Sequence, residues 1–144
     1  MNINRLLLVT SFACATILPA CKKQDIPDKV SLNISGTIQI DPKLKNSAKD
    51  SDVIFLIARP FHGGPPIAVQ KLTGKSYPYH FHLTPQNLMM PNAALDEPVN
   101  LIVRIDKDGD AMTKNPGDLA GEYEKNPVSL NSSDLLITVN QKIE

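Results

Sequence analysis

Among the residues able to do chemistry, His80 and His82 stand out first. They sit two apart in the alternating stretch Tyr77-Pro78-Tyr79-His80-Phe81-His82-Leu83, and on a strand that spacing puts both imidazoles on one face. Imidazole suits copper or zinc and thioether sulfur suits copper(I). Met89 and Met90 follow closely, and Met112 is a third thioether. A copper site built on His80, His82 and Met89 is therefore one alternative reading; the plainer one leaves both histidines on a solvated face with no metal. Met89-Met90-Pro91 has two readings of its own. Methionines make an adaptable apolar contact surface for a partner, or they plug one end of a core; the plug is the stronger expectation, with Met89, Met90 and Pro91 as candidate partner-binding residues. Asp106, Asp108 and Asp110 resemble the start of a calcium loop. However, Ala111 occupies the sixth position, which needs glycine, and Gly117 the twelfth, which needs a bidentate glutamate. A charged hairpin tip is the better expectation. In Gly117-Asp118-Leu119-Ala120-Gly121 the glycines permit tight turns, and Asp118 is placed to cap local amides, with a partner contact as its other candidate role. No glycine-flanked serine elbow or zinc-protease helix motif occurs, so a non-enzymatic protein without a cofactor is expected.

The remaining reactive group is a thiol. Arg5 is followed by an apolar run through Leu6-Leu7-Leu8-Val9, Phe12, Ala13, Ala15 and Ile17. That run falls short of the roughly 20 apolar residues a spanning helix needs, and it has the layout of a secretory signal. Leu18-Pro19-Ala20-Cys21 then precedes Lys22-Lys23. This stretch resembles the lipobox of bacterial lipoproteins, with a small residue at the cut and a cysteine ready for acylation. The expectation is a signal peptide over residues 1–20 and a lipidated Cys21 with a polar tether to residue 29. The domain that follows, 30–144, would face the periplasm and be anchored to the membrane by lipid. Acyl chains add about 0.8 kcal/mol of membrane affinity per buried CH₂, and more than one chain is needed for stable anchoring. Lys22 rather than aspartate after the cysteine favours the outer membrane over the inner.

The 144-residue chain carries 15 basic and 15 acidic residues. Near-neutrality gives no electrostatic case for nucleic acid as a partner. Cys14 leaves with the signal, so Cys21 would be the only remaining cysteine and no disulfide could staple the domain. The core alone must then stabilise it, which a domain of this size can do.

From Val30 the pattern becomes periodic. Leu32, Ile34, Ile38 and Ile40 alternate with polar residues, which marks a strand with one buried face. Gly36 lies on that apolar face and marks a bulge or a close approach. Val53 to Ala58 is a continuous apolar run, expected as a central strand buried on both faces. Phe61 to Pro66 is a turn and Ile67 to Leu72 the return strand. Tyr77 to Leu83 and Val99 to Ile105 alternate again. Asp108-Gly109 reads as a hairpin turn, Lys114 to Pro127 as a long loop, and Leu135 to Val139 as the last strand. Short strands, abundant proline and no helical stripe predict an all-β, antiparallel immunoglobulin-like β-sandwich of six or seven strands.

The order of these pieces carries a further resemblance. Ile34-Ser35-Gly36-Thr37, Asp41-Pro42 and Ile57-Ala58-Arg59 come first, then Gly64-Pro65-Pro66-Ile67-Ala68-Val69 and Lys71-Leu72. Pro78-Tyr79-His80-Phe81-His82-Leu83 and Met89-Met90-Pro91 follow. Val103-Arg104-Ile105, Gly109-Asp110-Ala111-Met112 and Gly117-Asp118-Leu119-Ala120-Gly121 complete the series. In this order and spacing the chain resembles the C-terminal periplasmic domain of the cytochrome c-type biogenesis protein H family, over about residues 32–140. Met89-Met90-Pro91 and the Gly117–Gly121 stretch match the family, whereas His80 and His82 stand where its members tend to have small hydroxyl residues. Full-length members also carry membrane helices and a tetratricopeptide region, so this chain reads as the sandwich module alone, re-anchored by lipid. The resemblance implies a lipid-anchored periplasmic binding or assembly module linked to c-type cytochrome biogenesis, with cytochrome c maturation proteins or apocytochrome c as partners. The alternatives are a copper-handling lipoprotein and a structural envelope lipoprotein.

Overall fold

Alternating and continuous apolar runs become strands where the sequence places them. The computed structural model describes residues 31–73, 77–91, 93, 95–110 and 113–144. The expected signal peptide, Cys21 and the tether lie outside the described residues, as does Met112. Eight strands occur among the described residues: β1 Asn33–Ile40, β2 Val53–Pro60, β3 Ala68–Leu72, β4 Tyr79–Leu83, β5 Val99–Asp106, β6 Leu119–Glu122, β7 Asn131–Val139 and β8 Gln141–Lys142. They form a three-stranded sheet in the order β4-β1-β7 and a five-stranded sheet in the order β3-β2-β5-β6-β8. All pairings are antiparallel except β1 with β7, which is parallel.

The inward residues of both sheets make one core. Ile34 and Ile38 of β1, Leu83 of β4 and Ile137 of β7 face Leu56 of β2 and Leu101, Val103 and Ile105 of β5, all fully buried. β2 is buried on both faces, as its unbroken apolar run requires. Ile54, Leu56 and Ala58 join the core, while Phe55 and Ile57 are covered on the opposite face. The Phe55 ring lies under two cations, with Arg104 Cζ 5.7 Å and Lys71 Nζ 6.0 Å from its centroid. Such contacts stabilise by electrostatic attraction to the ring face.

Two glycines set how closely strands approach. A Cβ on Gly36 would sit 2.2 Å from the Leu135 carbonyl oxygen. The β1–β7 register also shifts between Ile34 and Gly36, and Asp134 supplies the extra residue with φ 58°. Gly36 therefore marks both a bulge and a close approach. Gly121 plays the same part where the two sheets meet, since its Cβ would lie 2.2 Å from the Thr138 carbonyl oxygen. Just beyond, Asn140 N–H donates to Ala120 O at 3.1 Å, and the chain crosses from β7 to pair β8 with β6.

The eight strands among the described residues exceed the expected six or seven because the two shortest are not among those expected. β6 has four residues, one of them glycine, and lies inside the stretch expected as a loop; β8 has two. Neither is long enough for alternation to show. Asp108-Gly109 is not a tight hairpin turn. The adjacent strands β5 and β6 are joined by residues 107–118, and among the described ones residues 108–110 bond back to Asp106 while 107 and 115 bond to Asp118.

Strand directions sort the connections into two ends. The start of β1, the β2–β3 turn, the chain after β4 and residues 123–130 share one end, called the near end. Residues 41–52, Thr73, Tyr77, the 107–118 loop and the C-terminus share the far end.

Candidate functional site

At the near end, β4 finishes at Leu83 and Thr84 opens a short 3-10 turn over Pro85–Asn87. The turn is capped reciprocally: Thr84 N–H donates to Asn87 Oδ1 at 2.8 Å and Asn87 N–H to Thr84 O at 2.9 Å. The chain then docks on the edge of β3. Leu88 bridges Ala68, and Met89 N–H donates to Ile67 O at 2.9 Å. This pairing turns Leu88 inward. Leu88 and Ile67 pack against the core, and Met89, the next residue, faces away. The chain bends at Met89 and Met90, which keeps Met90 outside as well, and the two are 60% and 69% exposed. The expected plug is corrected: Leu88 plugs this end, and the methionines stand on the surface beside exposed Pro91.

Phe61 joins them from the β2–β3 turn at 47% exposure. Its N–H donates to Pro98 O at 3.0 Å and its ring lies 5.0 Å from that of His62. Sequence reasoning missed Phe61. The available clue is an aromatic residue beside a Gly-Gly-Pro-Pro turn, where no strand pattern can turn it inward. Three of the four exposed large hydrophobics among the described residues, Phe61, Met89 and Met90, belong to this end; the fourth, Leu136, lies on the outer side of β7.

The far end is built on polar groups that bond one another and the loop backbone. Asp106 is fully buried, and its Oδ1 accepts the N–H groups of Asp108, Gly109 and Asp110 at 3.2, 2.6 and 3.0 Å. Arg104 Nη2 lies 3.0 Å from Asp106 Oδ2 and donates to Asp110 O at 2.6 Å. Asp118, also fully buried, accepts from Lys107 N–H at 3.1 Å and Asn115 N–H at 2.9 Å. Lys107 Nζ donates to Asp52 Oδ2 at 2.6 Å and to the Ser47 carbonyl. Burial pushes the Asp106 carboxyl up, as does its hydrogen bond to Asp108, while the Gly109 amide opposes them. The Asp110 amide holds the Asp108 carboxyl down. The calcium-like spacing is therefore an amide-capping device. No group of three histidine, cysteine, aspartate or glutamate side chains able to hold a metal occurs among the described residues. Asp118 caps amides as expected; buried, it can shape the loop but presents no surface to a partner.

His80 and His82 share the outer face of β4, as their spacing requires, and both are exposed. Each meets β1. His80 Nδ1 lies 3.3 Å from Thr37 Oγ1, and His82 Nε2 2.7 Å from Asn33 Oδ1. Asn33 Nδ2 donates onward to Asn131 Oδ1 at 3.0 Å, so a polar ladder crosses the whole sheet.

Tyr77, packed against the core at the far end, gives a pH prediction. Burial, with the Asp52 charge and then Tyr79 adding, pushes its hydroxyl up to about 12, from about 10 in an unfolded chain. The folded state keeps the phenol proton longer than the unfolded state does. Its stabilising contribution is therefore complete below pH 10 and is lost as pH rises toward 12. Thermal melts should fall through that window, and Tyr77→Phe should flatten the fall; an unchanged profile in the variant would contradict this.

Fold and side chains together define a small immunoglobulin-like β-sandwich. Its buried aspartates bond its own loops, and three of the four exposed large hydrophobics among the described residues lie at one end. Residues 34–140 match the family described as cytochrome c-type biogenesis protein H Ig-like domain, and the chain belongs to that family. It is similar to an uncharacterized protein of Aquifex aeolicus (strain VF5), 28% identical over 112 residues, which is 77% of this chain and 72% of that one. It is also similar to the cytochrome c-type biogenesis protein CycH of Pseudomonas aeruginosa, 29% identical over 90 residues, which is 60% of this chain but 22% of CycH. Among solved structures, an alternative pilotin from the type II secretion system of Vibrio cholerae aligns with TM-score 0.49 and 13% identity, covering 79% of this chain and 98% of that one.

Proposed function

We propose that this chain is a non-enzymatic, lipid-anchored, periplasm-facing module that serves the assembly of c-type cytochromes. The observation carrying this reading is the family match across residues 34–140, supported by the similarity to CycH. The Leu18-Pro19-Ala20-Cys21 sequence supports the anchor, and Lys22 supports the outer membrane over the inner. The exposed Met89-Met90-Pro91 segment at the near end is an adaptable apolar contact surface. Partners are sought among cytochrome c maturation proteins and apocytochrome c.

Two measurements test this. Full-length protein, extracted from membranes in mild detergent and immobilised, should retain apocytochrome c or haem-lyase components from membrane extracts. Retention of neither would remove the cytochrome link. Cys21→Ser should abolish acylation, read by mass spectrometry of the N-terminal peptide, and reduce the protein in washed membranes at least several-fold. An unchanged membrane fraction would contradict lipid anchoring.

A further inference from the structure

We propose that the near end, presenting Phe61, Met89 and Met90, is the face on which this module rests on the lipid bilayer. This rests on the lipid-anchored reading and names what its contact surface meets first. The described chain begins at Ser31, immediately before β1, and β1 starts at the near end. Ten residue steps separate Ser31 from Cys21, a reach of at most about 35 Å. β1 itself is about 26 Å long at roughly 3.3 Å per residue. To seat the far end on the membrane, the tether would have to run back along the entire sandwich and spend most of that reach. The near end needs no such detour.

Its chemistry agrees. Phe61, Met89 and Met90 are exposed at this end and no large hydrophobic is exposed at the far end among the described residues. Phenylalanine and other apolar side chains enter the boundary between headgroups and acyl chains. Pro65, Pro91 and Pro98 are exposed here too, and proline brings no backbone N–H that would need a partner away from water. Asp96 and Glu97 also lie at this end, and Glu97 Oε2 is 3.7 Å from His62 Nε2. Carboxylates at that level restrict the contact to headgroup depth.

The test uses the full-length lipoprotein in vesicles of phosphatidylethanolamine and phosphatidylglycerol. An environment-sensitive fluorophore is attached to a single new thiol, either Met90→Cys at the near end or Lys114→Cys at the far end. Both sites are exposed, so neither substitution disturbs the core, and acylation blocks the thiol of Cys21. The fluorophore at position 90 should emit further to the blue and be quenched several-fold more strongly by lipid-borne quenchers than at position 114. Equal quenching at the two positions would overturn the proposal. Shielding at position 90 that appears only when membrane proteins are added would also overturn it, in favour of a protein partner. A Cys21 peptide without acyl chains, read by mass spectrometry on the same sample, would instead remove the anchored reading and this proposal together.

Discussion

Gly36→Ala should destabilise the domain by about 3 kcal/mol or more, at the upper end of what overpacking produces. The added methyl would meet a backbone carbonyl, that of Leu135, at 2.2 Å. Side chains can rotate away from a clash, but a carbonyl in a sheet cannot. Relief would require β1 and β7 to separate where the parallel pairing already carries its bulge. For a domain of roughly this size such a loss lowers the melting temperature by about 10 °C or more. Gly121→Ala should behave alike, because its methyl would strike the Thr138 carbonyl at the junction of the two sheets. Gly117→Ala is the contrasting control. Its φ of 98° strains any larger residue, but open space surrounds it, so about 1–2 kcal/mol is expected. Chemical denaturation of the three variants distinguishes these cases. A Gly36→Ala protein within about 1 kcal/mol of the parent, less than a buried backbone clash allows, would contradict the close β1–β7 contact.

The second large effect belongs to Asp106→Ala. Removing this carboxylate strips the acceptor from three loop amides and leaves Arg104, itself only 5% exposed, without its ion-pair partner. Breaking one side of a buried pair typically costs about 3–5 kcal/mol because the other charge remains buried. Asp106→Asn should cost less, since an amide oxygen can still accept from the loop even though the charge is gone. Both variants should leave the near end intact. Amide hydrogen exchange should therefore rise over residues 107–110 and 113–118 while the backbone around Leu88 and Met89 stays protected. Equal stability of Asp106→Ala and the parent would show that the 107–118 loop does not depend on this carboxylate.

The sequence made the long strands legible and concealed the short ones. Alternation over Leu32 to Ile40 and Val99 to Ile105, and the unbroken run at Val53 to Ala58, translate directly into burial on one face or two. Four residues of β6 and two of β8 carry too few positions for a period to appear. Their pairing is decided by the neighbours β5 and β6 rather than by their own composition. The parallel β1–β7 pair joins Asn33 with Asn131, a contact between distant segments that local pattern does not encode.

At the candidate sites the same division holds. The shared face of His80 and His82 follows from their spacing, and capping by Asp118 follows from its chemistry. The Met89-Met90 reading fails as a plug because an isolated bridge between Leu88 and Ala68, invisible in composition, selects Leu88 as the inward residue. Asp106, Asp108 and Asp110 have the acidic spacing of a cation loop, yet the carboxylates of Asp106 and Asp118 accept amides of the loop itself. Spacing alone does not distinguish a carboxylate that awaits a cation from one that caps backbone.

Service of this immunoglobulin-like module in c-type cytochrome assembly is read on a haem-stained gel of membrane and periplasmic fractions. A strain lacking the gene is compared with its parent and with a complemented strain. Covalent haem survives denaturing electrophoresis, so band intensity reports completed c-type cytochromes. The expected result is weakened or missing bands in the deletion strain, restored by the intact gene. Bands of parental intensity in the deletion strain would contradict a role in cytochrome assembly.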